Sequence, residues 1–350
     1  MNRISRATGT PHPRASETRF PTTSWRSSAA LIAMLLSLTI AVPTRAAGPA
    51  VLVKDITAAV NPSLDSSPDD FVAIGNVIYF TADDGSTGRE LWRSDGTPIV
   101  TLRITDIVPG PGDASPADLT AVGTTLFFTA DDGIGGKELW KSDGTPAGTM
   151  RVADINIGAG DSAPANLTAT GSTLFFTADN GISGEELWKS TTTALSPTLV
   201  ADIVPGPADS APANLTAIGT TLFFTAKTAA AGEELWKSNT TTPGATLVAD
   251  INPGPSDSAP SELTNVNGVL LFTASTPSFG EELWRSDGTL AGTTLVQDIA
   301  PFTASSSPSS FTSAGAYVFF SANDGSAGQE LWAAPLMSFP RLVYLPMVQR

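Results

Sequence analysis

Cysteine is absent from the 350 residues, and the single histidine is His12. The first absence excludes a disulfide framework, a thiol nucleophile and Cys-ligated metal. The second removes Ser-His-Asp and Cys-His catalysis and His-ligated zinc or haem from everything after residue 12. Sustained helical periodicity is also missing beyond Ala50, so the apolar residues there are ordered on some other pattern. Cationic side chains are few: 19 Lys and Arg stand against 34 Asp and Glu.

Residues 1–47 have the layout of a Sec-type signal peptide. Arg3, Arg6, Arg14, Arg19 and Arg26 form a basic stretch ahead of the apolar run from Ser27 to Val42. Small residues around Ala46 and Ala47 then supply a cleavage site. The apolar run is short for a bilayer span, so the sequence predicts removal of 1–47 and a secreted or cell-surface product with no transmembrane span. Six of the arginines and Glu17 lie in that segment. The remainder carries 13 basic and 33 acidic residues, a net charge of −20. A surface so acidic repels phosphate backbones, which argues against nucleic acid as a partner.

What the remainder does contain is repetition. Trp92, Trp140, Trp188, Trp236, Trp284 and Trp332 follow one another at intervals of 48 residues. Each is preceded by Glu-Leu, with a glycine two positions before the Glu. Phe80, Phe128, Phe176, Phe224, Phe272 and Phe320 head a Phe-Thr-Ala or Phe-Ser-Ala triplet at the same period. An Asp-Ile pair recurs at Asp55, Asp106, Asp154, Asp202, Asp250 and Asp298 or its equivalent. Its first interval is 51 because of a small insertion over 61–65.

One unit reads as four strands: 119–122, 125–130, 137–142 and 149–155, each bounded by Gly, Asp, Asn or Pro. The Leu-Phe-Phe run is apolar at consecutive positions, which suits a strand buried on both faces. The longest link is Pro- and Gly-rich (108–117), and it fits the passage from the outer edge of one blade to the centre of the next. The pattern predicts an all-β, six-bladed β-propeller of four-stranded blades over 48–333, with Leu-Thr-Ala strands inside and Asp-Ile strands outside. Residues 51–56 are then expected to complete the sixth blade by pairing with 329–333, and 334–350 to form a C-terminal tail.

The octet Glu138-Leu139-Trp140-Lys141-Ser142-Asp143-Gly144-Thr145 resembles the ELWxxDGT repeat family of bacterial proteins. The octet is complete also at 90–97 and 282–289, and departs from the pattern at Thr191, Asn239 and Pro335. The resemblance covers 51–333 and implies an exported, propeller-like protein without assigning an activity.

The recurrent Trp, Phe and Leu are expected between blades as core. Calcium is the one cation entertained, at the loops Asp83-Asp84, Asp131-Asp132, Asp179-Asn180 and Asn323-Asp324. Two units place Lys227-Thr228 and Ser275-Thr276 there, and the spacing is not that of an EF-hand, so no cofactor is expected. The recurrent Glu and Asp are read as caps on turn backbone N–H groups. Asn166-Leu167-Thr168, Asn214-Leu215-Thr216 and Asn239-Thr240-Thr241 match glycosylation sequons, the first two as by-products of the repeat. No catalytic, cofactor-binding or metal residue is singled out. The expected function is a monomeric, non-enzymatic binding or structural module for an unidentified protein or glycan ligand. The alternative is a carbohydrate-active hydrolase or lyase using carboxylates.

Overall fold

The computed structural model describes residues 49–194 and 196–336. The expected signal segment and the tail beyond residue 336 therefore lie outside the described residues. Two units divide the chain, residues 1–51 and 52–350, and the second holds all the secondary structure described below.

Six antiparallel sheets follow one another along the chain, five with four strands and the last with three. Each is an up-and-down meander. Blade 2 shows the plan, with strands Ala117–Val122, Thr125–Asp131, Lys137–Ser142 and the short Met150–Arg151. The first strands of successive blades neighbour one another: Asp69–Ile74, Ala117–Val122, Ala165–Thr170, Ala213–Ile218, Ser261–Val266 and Ser309–Ala314. These are the Leu-Thr-Ala strands, and they sit innermost as expected. The fold is an all-β propeller of six blades. Among the described residues no helix is long and apolar enough to cross a membrane.

The consecutive apolar positions now have a geometric meaning. In a strand, successive side chains point to opposite faces. Phe127 and Leu139 of blade 2 pack forward on Leu174, Phe176 and Trp188 of blade 3. Phe128 and Trp140 pack backward on Tyr79 and Leu91 of blade 1. The same contact recurs at the next three junctions, through Leu187 on Phe224, Leu235 on Phe272 and Leu283 on Phe320. Each junction leaves its central Leu at most 1% exposed. Trp92 and Trp140 are buried, Trp188, Trp236, Trp284 and Trp332 are half-buried against the same clusters, and the indole N–H of Trp140 also donates to Ala130 O at 3.1 Å.

The invariant Glu binds adjacent turns together. Glu138 Oε2 accepts from Ile155 N at 3.0 Å and from Ser162 Oγ at 2.6 Å, and its Oε1 accepts from Asn156 N and Ser162 N. Glu234 and Glu282 repeat the set with Ile251 and Ser258, and with Ile299 and Ser306. The capping role assigned from sequence is therefore seen. The Asp of Asp-Ile also caps, as Asp250 Oδ2 accepts from Gly254 N.

One expected pairing is not formed. The sixth sheet consists of Ser309–Ala314, Tyr317–Asn323 and Gln329–Pro335, with no fourth strand. Residues 52–56 are not a strand. Ile56 packs on Phe80, Ala82 and Trp92 of blade 1, and Lys54 Nζ donates to Thr101 O in the same blade. The physical reason is that apolar burial against blade 1 fixes this segment without any backbone ladder. The last strand also runs two residues past the expected boundary at 333, and Leu336 N donates to Ala316 O.

Candidate functional site: the axial ring

Every inner strand carries a bulge near its start, for example between Ala117 and Thr120. The residue within it adopts a left-handed backbone: Asp70, Asp118, Asn166, Asn214, Glu262 and Ser310 have φ between 52° and 62°. Asp and Asn tolerate this region better than most residues, because their short polar side chains bond locally. The bulge re-aims each side chain. The result is a ring of polar groups, one per blade, at the innermost edge of the fold.

Four members line an open cavity of about 690 Å³: Asp118, Asn166, Asn214 and Glu262, each with the Leu-Thr pair that follows it. A second cavity of about 470 Å³ shares Asp118 and adds Asp69, Asp70, Thr81 and Arg89. Asp118 lines both spaces, which together present carboxylates from blades 1, 2 and 5 and amides from blades 3 and 4.

Hydrogen bonds hold the ring in place. Asp70 Oδ2 accepts from Leu119 N at 2.9 Å, and Glu262 Oε2 accepts from Ser310 N at 3.0 Å, each reaching the next blade. Asn214 Nδ2 donates to Pro260 O and to Thr225 Oγ1. Arg89 fixes the wall of the smaller cavity, donating to Thr81 Oγ1 at 2.7 Å and Ser67 O at 2.8 Å. Burial raises Asp70 above the ordinary aspartate value. The Leu119 N–H pulls it down, while the negative charges of Asp118 and Asp69 add to the rise.

The sequence reading did not find this ring. Its signal was present: one column of the repeat is polar in all six copies and reads Asp, Asp, Asn, Asn, Glu, Ser, while the residue after it is Leu or Phe throughout. Asn166 and Asn214, noticed only as sequons, belong to it.

The calcium candidates lie elsewhere. Asp84 Oδ1 accepts from Ser86 N and Thr87 N, and Asp132 Oδ1 from Ile134 N and Gly135 N. These carboxylates close their own turns. Among the described residues, no group of three or more His, Cys, Asp or Glu is arranged to hold a metal ion.

No family model and no curated protein matches the chain. Among solved structures, one from a study of two prolyl endopeptidases aligns over 76% of this chain and 42% of its own, with a TM-score of 0.46 and 13% identity. A puromycin-hydrolyzing peptidase of Mycobacterium tuberculosis aligns over the same shares with a TM-score of 0.45 and 12% identity. A puromycin hydrolase mutant complexed with PGG gives 0.42 and 14%, over 73% and 42%. The chain thus spans less than half the length of each, and the likeness is one of fold. Their titles name peptidases or a hydrolase, and that is said of those proteins. The expectation of a non-enzymatic module was drawn from the uniformity of the repeats, and that ground does not stand. The uniformity is itself incomplete, since the axial column varies from blade to blade.

Proposed function

We propose that the chain is an exported carbohydrate-active enzyme of the ELWxxDGT repeat type, whose reaction takes place at Asp70 and Asp118 in the smaller of the two cavities. The observation that carries this reading is that Asp70 and Asp118, on neighbouring blades, line one cavity, with Asp70 raised by burial. Asp70 donates the proton to the departing glycosidic oxygen, while Asp118 as base takes a proton from the water that bonds to the anomeric carbon, and proton exchange with solvent restores both groups. Asn166, Asn214 and Glu262 face the larger cavity with donors and acceptors suited to sugar hydroxyls. The chemistry left to the chain also favours carboxylates. No histidine follows residue 12, so a Ser-His-Asp mechanism has no base here. The acidic surface is compatible with a neutral glycan and disfavours polyanionic ones.

The test is release of reducing ends from a panel of neutral polysaccharides and chromogenic glycosides. Turnover is expected to fall ~10²–10⁴-fold in Asp70→Asn and to a similar degree in Asp118→Asn, with far-UV circular dichroism unchanged. Equal turnover in wild type and Asp70→Asn would defeat the assignment, and so would no turnover on any member of the panel.

A further inference from the structure

The end of blade 6 and the start of the chain carry two halves of one blade junction. At the five junctions between blades the central Leu (Leu91, Leu139, Leu187, Leu235, Leu283) is 0–1% exposed, whereas Leu331 is 76% exposed. Glu90, Glu138, Glu186, Glu234 and Glu282 are fully buried, while Glu330 is exposed. The glycine before each Glu shows the same break. A Cβ at Gly136 would meet Gly160 O at 2.6 Å and one at Gly280 would meet Ala304 O at 2.3 Å, yet one at Gly328 meets nothing within 4 Å.

The missing groups are all present near the N-terminus. Counting by the repeat and allowing for the three-residue insertion, Ile56 stands where Ile155, Ile251 and Ile299 stand, and Ser66 where Ser162, Ser258 and Ser306 stand. Asp65 occupies the place of Asp161, whose Oδ1 accepts from Lys137 N at 2.7 Å. Ser66 is already placed like its counterparts, since its carbonyl accepts from Asp83 N as that of Ser162 accepts from Asp179 N. Ile56 already packs on Phe80 and Trp92, as Ile107 packs in the junction with Phe128 and Trp140. Phe71, at 59% exposure, occupies the position of Leu119, which is 6% exposed.

We infer that the exposed face of blade 6 is the docking surface for this chain's own segment Asp55–Ser66, so that the ring closes within one molecule. In the joined state Glu330 accepts from Ile56 N–H and from the N–H and hydroxyl of Ser66. Asp65 accepts from Gln329 N–H, and Leu331 is covered by blade 1. The occupant is the same molecule because its segment is already seated on blade 1, in the place the junction requires. A tethered segment also has the advantage of effective concentration over a second copy. This inference does not rest on the proposed reaction.

Hydrogen–deuterium exchange of the full secreted chain, with light scattering at two concentrations, tests it. Peptides over residues 54–58 are expected to be protected as strongly as those over 249–253 in a monomeric sample. In Glu330→Ala that protection drops ~10-fold or more while 249–253 keep theirs. Free exchange of 54–58 in the wild-type chain overturns the inference without need of any variant. Protection that grows with concentration, alongside a dimeric or larger mass, overturns it in favour of a second copy of the chain.

Discussion

Blades 2 to 5 and the pair formed by blades 1 and 6 are built on the same repeat, but they are not buried alike. Leu235 is fully enclosed and Leu331 is 76% exposed. The strand Thr221–Thr228 has five consecutive buried residues, whereas Tyr317–Asn323 alternates between buried and partly covered positions. The difference teaches that a blade of this repeat has no core of its own. Its two apolar faces become interior only when both neighbours are present, as expected for an array stabilised by nearest-neighbour interfaces.

Removing the apolar contact tests that contrast most severely. Leu235→Ala is expected to cost ~2–5 kcal/mol, through lost burial and the cavity left behind. Leu331→Ala should cost a comparable amount in the joined ring inferred above, whereas a Leu331 left 76% exposed corresponds to less than ~0.5 kcal/mol. Chemical denaturation of both variants measures the two values. A cost at Leu331 approaching that at Leu235 would show that the seam is as well packed in solution as the other junctions.

The buried glutamates sharpen the comparison through pH. Burial pushes Glu90 up to about 7 and raises Glu138, Glu186 and Glu234 by the same cause, against the pull of their hydrogen bonds. A carboxyl that holds its proton more tightly folded than unfolded stabilises the protein at acid pH. That contribution is present below the unfolded value near 4.5 and is lost as pH rises through the folded value. Glu90 alone accounts for roughly 3 kcal/mol at most over this interval. The aspartates of the exposed turns, such as Asp84 and Asp132, are lowered by their hydrogen bonds and act oppositely, below pH ~4. Thermal denaturation is therefore expected to show greater stability near pH 5 than at pH 7.5. A flat profile would mean that these glutamates titrate alike in both states.

The smallest effect separates one junction from its siblings. Glu90 accepts from Ile107 N and Val108 N, but Ala114 occupies the place of the serine that serves Glu138, Glu186, Glu234 and Glu282. Ala114→Ser should stabilise by ~1 kcal/mol at neutral pH, since a hydrogen bond to a charged group is gained. It should also flatten part of the pH dependence. No gain in denaturation midpoint at pH 7.5 would show that the buried position does not admit the hydroxyl in bonding geometry.

Much of the fold was legible in the sequence because the repeat reports it many times over. Six spaced tryptophans, the doubly apolar Leu-Phe-Phe strand and Pro-Gly links together leave little choice of architecture. The inner position of Leu-Thr-Ala followed from link length alone. The axial ring was not legible for a physical reason. Its residues are gathered by a bulge and a left-handed φ, which leave no mark on hydrophobic periodicity. What marks them is variation within an otherwise constant unit, and that was seen only as sequons at Asn166 and Asn214. The pairing of 51–56 was misjudged because β-propensity and repeat counting cannot weigh a ladder against burial of Ile56 on Trp92. The Asp-Asp-Gly loops suggested cation donors by composition, while their carboxylates are engaged by backbone N–H groups two and three residues on.

The bulge at the head of each inner strand also limits what the axis can become. A residue held near φ +55° tolerates few side chains, and β-branched or bulky ones are disfavoured there. The column can therefore exchange acid for amide, or amide for hydroxyl, at little conformational cost, but admits an apolar or branched wall only with strain. Each blade thus contributes one character from a short polar alphabet, and the lining of the axis can be respelled while the scaffold stays as it is.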